Sequence, residues 1–147
     1  MSPQRGVDIL LVEDNPRDAE LALRAFRKAH LGETVFHVKD GQEALDWLFG
    51  MGVFQYQNRR ENPKVILLDL KLRKVDGLEV LRALRANNKT CSIPVVVLSS
   101  SQEHHDLEEC YALGANSYIV KPVDFDNFSA TVAQAGTYWL QVNKSPA

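Results

Sequence analysis

The stretch Val7-Asp8-Ile9-Leu10-Leu11-Val12-Glu13-Asp14-Asn15-Pro16 joins a short apolar run, two adjacent acids and a helix start. An apolar run this short, rich in branched residues, suits a strand buried on both faces. Asn15-Pro16 then opens a helix, a capping side chain followed by proline at the first helical position. The same unit recurs along the chain. Further apolar runs occupy Val35–Val38, Val65–Leu68, Pro94–Leu98 and Ser117–Val120, with Val7–Val12 as the first.

Segments of helical period separate them. Ala19, Leu23 and Phe26 share a face after Pro16, and Gln42–Phe49 carries Ala44, Leu45, Leu48 and Phe49. Asp76–Asn87 aligns Leu78, Leu81 and Leu84, while Glu103–Leu113 has a weaker stripe of Leu107, Cys110 and Tyr111 facing inward. A last helix is expected from an Asp124 N-cap through Phe125, Phe128, Val132, Ala135 and Trp139 to about Val142. Gly136 inside it costs roughly 1 kcal/mol against alanine, so its far end is expected to fray. Met51–Asn62, with Phe54 and Tyr56, reads as a surface loop extending the second helix. Five strands alternating with five helices predict an α/β domain with a doubly wound, five-stranded parallel sheet of the flavodoxin-like type.

The whole-chain figures fit one such domain. There are 147 residues, 45% hydrophobic and 24% charged, with a net charge of −2. That charge gives no electrostatic case for nucleic acid, and no apolar stretch is long enough to span a membrane. Cys91 and Cys110 lack metal-like spacing, and the start is too short in its apolar part for a secretory signal. A cytoplasmic location is expected.

In open parallel sheets ligands sit beyond the carboxyl ends of the strands, where the strand order reverses. There the first strand delivers Glu13 and Asp14 and the third delivers Asp69. Carboxylates gathered so closely raise one another's pKa unless a cation lies between them. An all-oxygen cluster of this size points to Mg²⁺. Ser99 ends the fourth strand, and Lys121, followed by Pro122, ends the fifth. Each alone reads as a solvated acid, a turn serine or a snorkelling lysine. Together they fit one job, in which an aspartate attacks a phosphoryl group while a cation, a lysine and a hydroxyl hold its oxygens.

ILLVEDNP (residues 9–16), VILLDLKLRKVDGLEVL (65–81), IPVVVLSSS (93–101) and GANSYIVKP (114–122) resemble the response-regulator receiver domains, the CheY-like family. The resemblance runs from about Val7 to Leu140, within a single expected domain whose core spans about 7–142, with no effector domain following. It implies Asp69 as phosphoacceptor, with Glu13, Asp14, Asp69 and the Lys71 backbone carbonyl as Mg²⁺ ligands. It further implies Ser99 as the switch hydroxyl, Tyr118 as the switch aromatic and Lys121 as the phosphate-binding cation. The bond before Pro122 is a cis candidate on the same ground. Lys71 and Ser101 occupy positions that in the family influence acyl-phosphate hydrolysis.

Two departures stand out: Ser99 where threonine is commoner, and Arg73 where a proline usually stiffens the loop. A narrower resemblance, in ILLVEDNPRDAELALRAF and YIVKPVDFDNF, is to the small response regulators of cyanobacterial and bacterial phytochromes. It implies a phosphohistidine on a light-sensing histidine kinase as donor.

Output is then expected through a surface, namely a partner protein, a phosphotransfer protein or a homodimer through the face of fourth helix, fifth strand and fifth helix. Tyr138 and Trp139 are candidates for that dimer face, with closure of the core as the other reading of Trp139. His104-His105 reads as a solvated helix start.

Three rival readings remain testable. A haloacid-dehalogenase phosphatase wants an acid where Lys71 stands, so the chain is not expected to be an enzyme acting on outside substrates. A flavin carrier wants a hydroxyl- and glycine-rich cradle where Glu13-Asp14-Asn15-Pro16 stands. A pseudo-receiver would bind partners without being phosphorylated.

Overall fold

The computed structural model describes residues 6–55 and 61–145. The strands are β1 (Ile9–Val12), β2 (Val35–Val38), β3 (Val65–Leu68), β4 (Val95–Ser99) and β5 (Ser117–Val120). All pair in parallel, in the order β2-β1-β3-β4-β5. The helices are α1 (Pro16–Lys28), α2 (Gly41–Phe49), α3 (Gly77–Ala86), α4 (His104–Ala112) and α5 (Phe125–Thr137). A π-helical turn, Tyr138–Val142, continues α5. The doubly wound parallel fold expected from the alternation is the one observed.

Alternate residues of each central strand feed opposite cores. Leu10, Val12, Ile66, Leu68, Val95 and Val97 meet α2, α3 and Cys110 of α4 on one face. Ile9, Leu11, Val65, Leu67, Val96 and Leu98 meet α1 and α5 on the other. Covering both faces explains why these strands are continuously apolar rather than alternating. Each such side chain gains about 1.5–3 kcal/mol by leaving water.

Side-chain caps start four helices: Asn15 accepts from the amides of Arg17 and Asp18, Asp40 from Glu43, Asp76 from Glu79 and Asp124 from Asn127. Each is worth about 1 kcal/mol. Glu103 makes no such bond at the start of α4.

Three expectations need correction. Tyr111 is 51% exposed rather than inward, because α4 buries only Cys110 and its apolar stripe is one residue wide. Phe125 is 48% exposed, the first residue of α5 at the edge of a groove that it lines with Arg24, Ala25 and Lys28 of α1. Gly136 has a use in packing that the propensity argument omits. A Cβ there would lie 2.9 Å from Phe26 and 3.0 Å from Leu31, so the missing side chain is what lets α1 and α5 approach.

Trp47, outside the expected stripe, is buried and stacks on Phe36 with ring centroids 5.5 Å apart. Phe54 of the expected surface loop meets Phe36 edge-on at 6.1 Å, from a 3-10 turn over Gly52–Phe54. Tyr56 lies outside the described residues.

Candidate functional site

The strand order turns at β1 and β3, and their last residues are in register, Val12 opposite Leu68. The next residues are pinned by the ladder itself. The Asp69 amide donates to the Val12 carbonyl (3.1 Å) and the Glu13 amide to the Val38 carbonyl (3.2 Å). Glu13, Asp14 and Asp69 consequently offer carboxylate oxygens within 4.8 Å of one another. Glu13 and Asp69 are buried, at 3% and 8% exposed, and Asp14 is half-buried.

The floor of the site is tight. A Cβ on Gly77 would stand 2.4 Å from the Asp69 carbonyl oxygen, so only glycine lets the start of α3 rest on this strand end. His37 Nε2 lies 2.8 Å from the Glu13 carbonyl oxygen, and the Asn15 amide donates to Glu13 Oε2 at 3.2 Å. The Lys71 amide donates to Asp69 Oδ1 at 3.4 Å.

Lys121 reaches in from β5. Its Nζ donates to Glu13 Oε1 (2.6 Å), Asp18 Oδ2 (3.0 Å) and Asp69 Oδ2 (3.4 Å). Asp18, in the first turn of α1, was not among the expected residues. Its signal in the sequence was a third acid four residues past Asp14, in the first turn of the helix that Asn15-Pro16 opens. Arg73 also approaches, with Nε 3.8 Å from Asp14, though it is largely exposed.

Burial pushes Glu13 up from 4.5 to about 8, helped by the hydrogen bond and charge of Asp69 and opposed by Lys121. Burial works against the Lys121 ammonium, yet Glu13, Asp69 and Asp18 together hold its pKa above the usual lysine value. Three carboxylates, of Glu13, Asp18 and Asp69, face the Lys121 ammonium, and that of Asp14 lies beside them. A compact, oxygen-only donor set with excess negative charge fits a divalent cation held by Glu13, Asp14 and Asp69.

The β4 end links this site to α4. Ser99 is 1% exposed, and its hydroxyl oxygen accepts from the Ser101 amide at 3.2 Å. The Ser101 hydroxyl bonds to Asp106 of α4, and the Tyr118 hydroxyl donates to the Ser101 carbonyl at 2.9 Å. Burial raises the Tyr118 phenol. Asp106 is the second participant that the sequence reading missed.

The remaining expected residues divide. Among the described residues no peptide bond is cis, so the bond before Pro122 is trans, against expectation. Trans is the lower isomer by roughly 0.5–1 kcal/mol, and Lys121 reaches its carboxylates with it. Trp139 is half-buried and packs against the core beside α1 and α5. Tyr138 remains 48% exposed. His104 and His105 are exposed and pair along the helix with Glu108 and Glu109. Among the described residues no helix is long and apolar enough to cross a membrane.

Comparison with known proteins follows the same lines. Residues 9–133 match the response regulator receiver domain family. The probable methanogenesis regulatory protein FilR2 of Methanothrix harundinacea is 41% identical over 94% of this chain and 86% of its own length. The phosphorylated cyanobacterial phytochrome response regulator RcpA superposes with a TM-score of 0.88 at 35% identity, covering 97% of this chain and all (100%) of its own. The Mn²⁺-bound form of response regulator Rcp1 gives 0.85 at 33%, covering 95% and 98%. Rcp1 is a protein of Synechocystis. With its acidic cluster at the turn of a five-stranded parallel sheet, the chain belongs to the response regulator receiver domains, signalling domains of the two-component systems.

Proposed function

We propose that Asp69 accepts a phosphoryl group from a phosphohistidine of a sensor kinase, with Mg²⁺ as the cation. The observation that carries this reading is the placement of Asp69 between two further carboxylates and the Lys121 ammonium. An Asp69 oxygen attacks phosphorus, an O–P bond forms, and the N–P bond of the donor breaks. The imidazole leaves and takes its proton from solvent.

Glu13, Asp14, Asp69 and the Lys71 carbonyl would hold the cation, which would neutralise the phosphoryl oxygens. Lys121 exchanges its longest contact, to Asp69, for a phosphoryl oxygen. Ser99 offers its hydroxyl to another. Lys71 and Ser101 flank the bond that water later breaks, and so tune its lifetime.

The readout follows the chain Ser99–Ser101–Tyr118. The added group carries about two negative charges. It biases the β4–α4 loop only as far as it interacts differently with that loop's two arrangements. The face of α4, β5 and α5 then changes its affinity for a partner, and half-exposed Tyr138 offers a contact to a second copy of the chain. The likeness to RcpA supports a phytochrome-type kinase as donor, while FilR2 shares the domain under a different printed role.

Intact-mass analysis after incubation with acetyl phosphate tests the chemistry. The expected result is an alkali-labile gain of ~80 Da, the mass of one phosphoryl group, that requires Mg²⁺ and disappears in Asp69→Asn. No gain from acetyl phosphate or from a phosphorylated histidine kinase would leave the pseudo-receiver as the better description. Light scattering with and without a phosphoryl mimic tests the dimer, and a constant monomer mass would overturn it.

A further inference from the structure

An ammonium group has three N–H donors, and those of Lys121 meet Glu13, Asp18 and Asp69. The carboxylates suited to a divalent cation are Glu13, Asp14 and Asp69. Two of the lysine's three acceptors are therefore the cation's as well. Asp18 is the one acceptor outside that set.

Its position fits the distinction. Asp18 is fixed by α1, which the Asn15 cap and the buried face of Ala19, Ala22 and Phe26 hold against the sheet. Its side chain is 27% exposed against 3% for Glu13, so its carboxylate stands at the rim of the site rather than in its floor. A cation and an ammonium repel one another, and both draw on the same buried oxygens. Without a private acceptor, Lys121 would be displaced as the cation entered.

We propose that Asp18 is the positioning residue that keeps the Lys121 ammonium seated over the site while a divalent cation occupies Glu13, Asp14 and Asp69. The lysine then stays in place for a phosphoryl oxygen, so lysine and cation act together rather than in turn. Asp18 touches neither phosphoryl nor metal; it acts through Lys121. The inference rests on the function proposed above, and it is tested by a readout that needs no phosphorylation.

That readout is acylation of Lys121 by N-hydroxysuccinimidyl acetate, followed by peptide mass spectrometry, with and without Mg²⁺. Cation binding is measured separately by calorimetric titration with Mg²⁺. In the wild type, Lys121 is expected to stay protected in both conditions. In Asp18→Ala, Mg²⁺ is expected to raise its labelling on the order of tenfold, the loss of one charge-assisted hydrogen bond. Asp18→Glu is expected to restore protection, which a merely structural role for α1 would not produce. Phosphorylation by acetyl phosphate is expected to slow by a similar factor in Asp18→Ala.

Equal protection of Lys121 in Asp18→Ala and wild type, once Mg²⁺ binding is established for both, would overturn the inference. If Asp18→Ala does not fold, Asp18→Asn carries the same decision, since it keeps the shape and removes the charge. Absence of Mg²⁺ binding in the wild type would instead sink the function reading. Failure of phosphorylation alone, with the labelling pattern intact, would leave the role of Asp18 standing.

Discussion

The centre of the sheet and its β5 edge are built to different standards. Every residue of β1, β3 and β4 is buried, whereas all four residues of β5 are half-buried and α4 buries Cys110 alone. Glu13, Asp14 and Asp69 grow from the dense part. Lys121 and Tyr118 grow from the thin part. A carboxylate cluster must be rigid to stay gathered against its own repulsion, while a readout must have somewhere to move. One site spans both, and on the proposed reading a charge placed on Asp69 would be felt on a surface for that reason.

Matched truncations are the strongest way to break this contrast. Ile66→Ala, in the fully buried β3, is expected to cost about 2–5 kcal/mol. Ile119→Ala, in β5, is expected to cost less than half as much by urea unfolding. Equal costs would mean that the two regions are equally well packed. Next comes Gly77→Ala, which drives a methyl toward the Asp69 carbonyl. A loss of about 1–3 kcal/mol is expected, with slower phosphorylation of the folded fraction. Unchanged stability would show that the floor of the site yields.

A third test concerns charge. Glu13 is raised from 4.5 to about 8. Its contribution to the stability of the cation-free protein is thus full below about 4.5 and lost as pH rises through about 8. Wild-type Tm is expected to fall across that window more steeply than that of Glu13→Gln, and Mg²⁺ to flatten the difference. Parallel pH curves would contradict the assignment. The smallest effect is expected at the edge. Tyr118→Phe removes the bond to the Ser101 carbonyl at a cost of about 0.5–1.5 kcal/mol, with little change in phosphorylation rate. A large rate effect would place Tyr118 in the chemistry rather than in its readout.

Legibility in the sequence followed the same division. The dense strands announce themselves as unbroken Val, Ile and Leu runs, and the capping residues Asn15 and Asp124 mark helix starts by local chemistry. The misjudged side chains, Tyr111 and Phe125, lie on α4 and at the start of α5, where an apolar residue on the periodic face has nothing opposite to bury it. Trp47 was overlooked because its partners Phe36 and Phe54 come from a neighbouring strand and a loop. Gly136 was misread for a related reason: propensity counts its missing side chain as a cost, and packing against Phe26 turns it to use.

The sequence by itself determined the architecture and the membership of the acidic cluster, because both follow from local patterns repeated at strand ends. Only the tertiary structure decided which groups share a proton or a charge. Lys121 and Asp18 are 103 positions apart, and Tyr118 and Ser101 are 17 apart. Nothing in either neighbourhood names its partner. Such pairings depend on how deeply a side chain is desolvated and how many acceptors lie within about 3 Å of it, and these are fixed only when the strands and helices have closed around it.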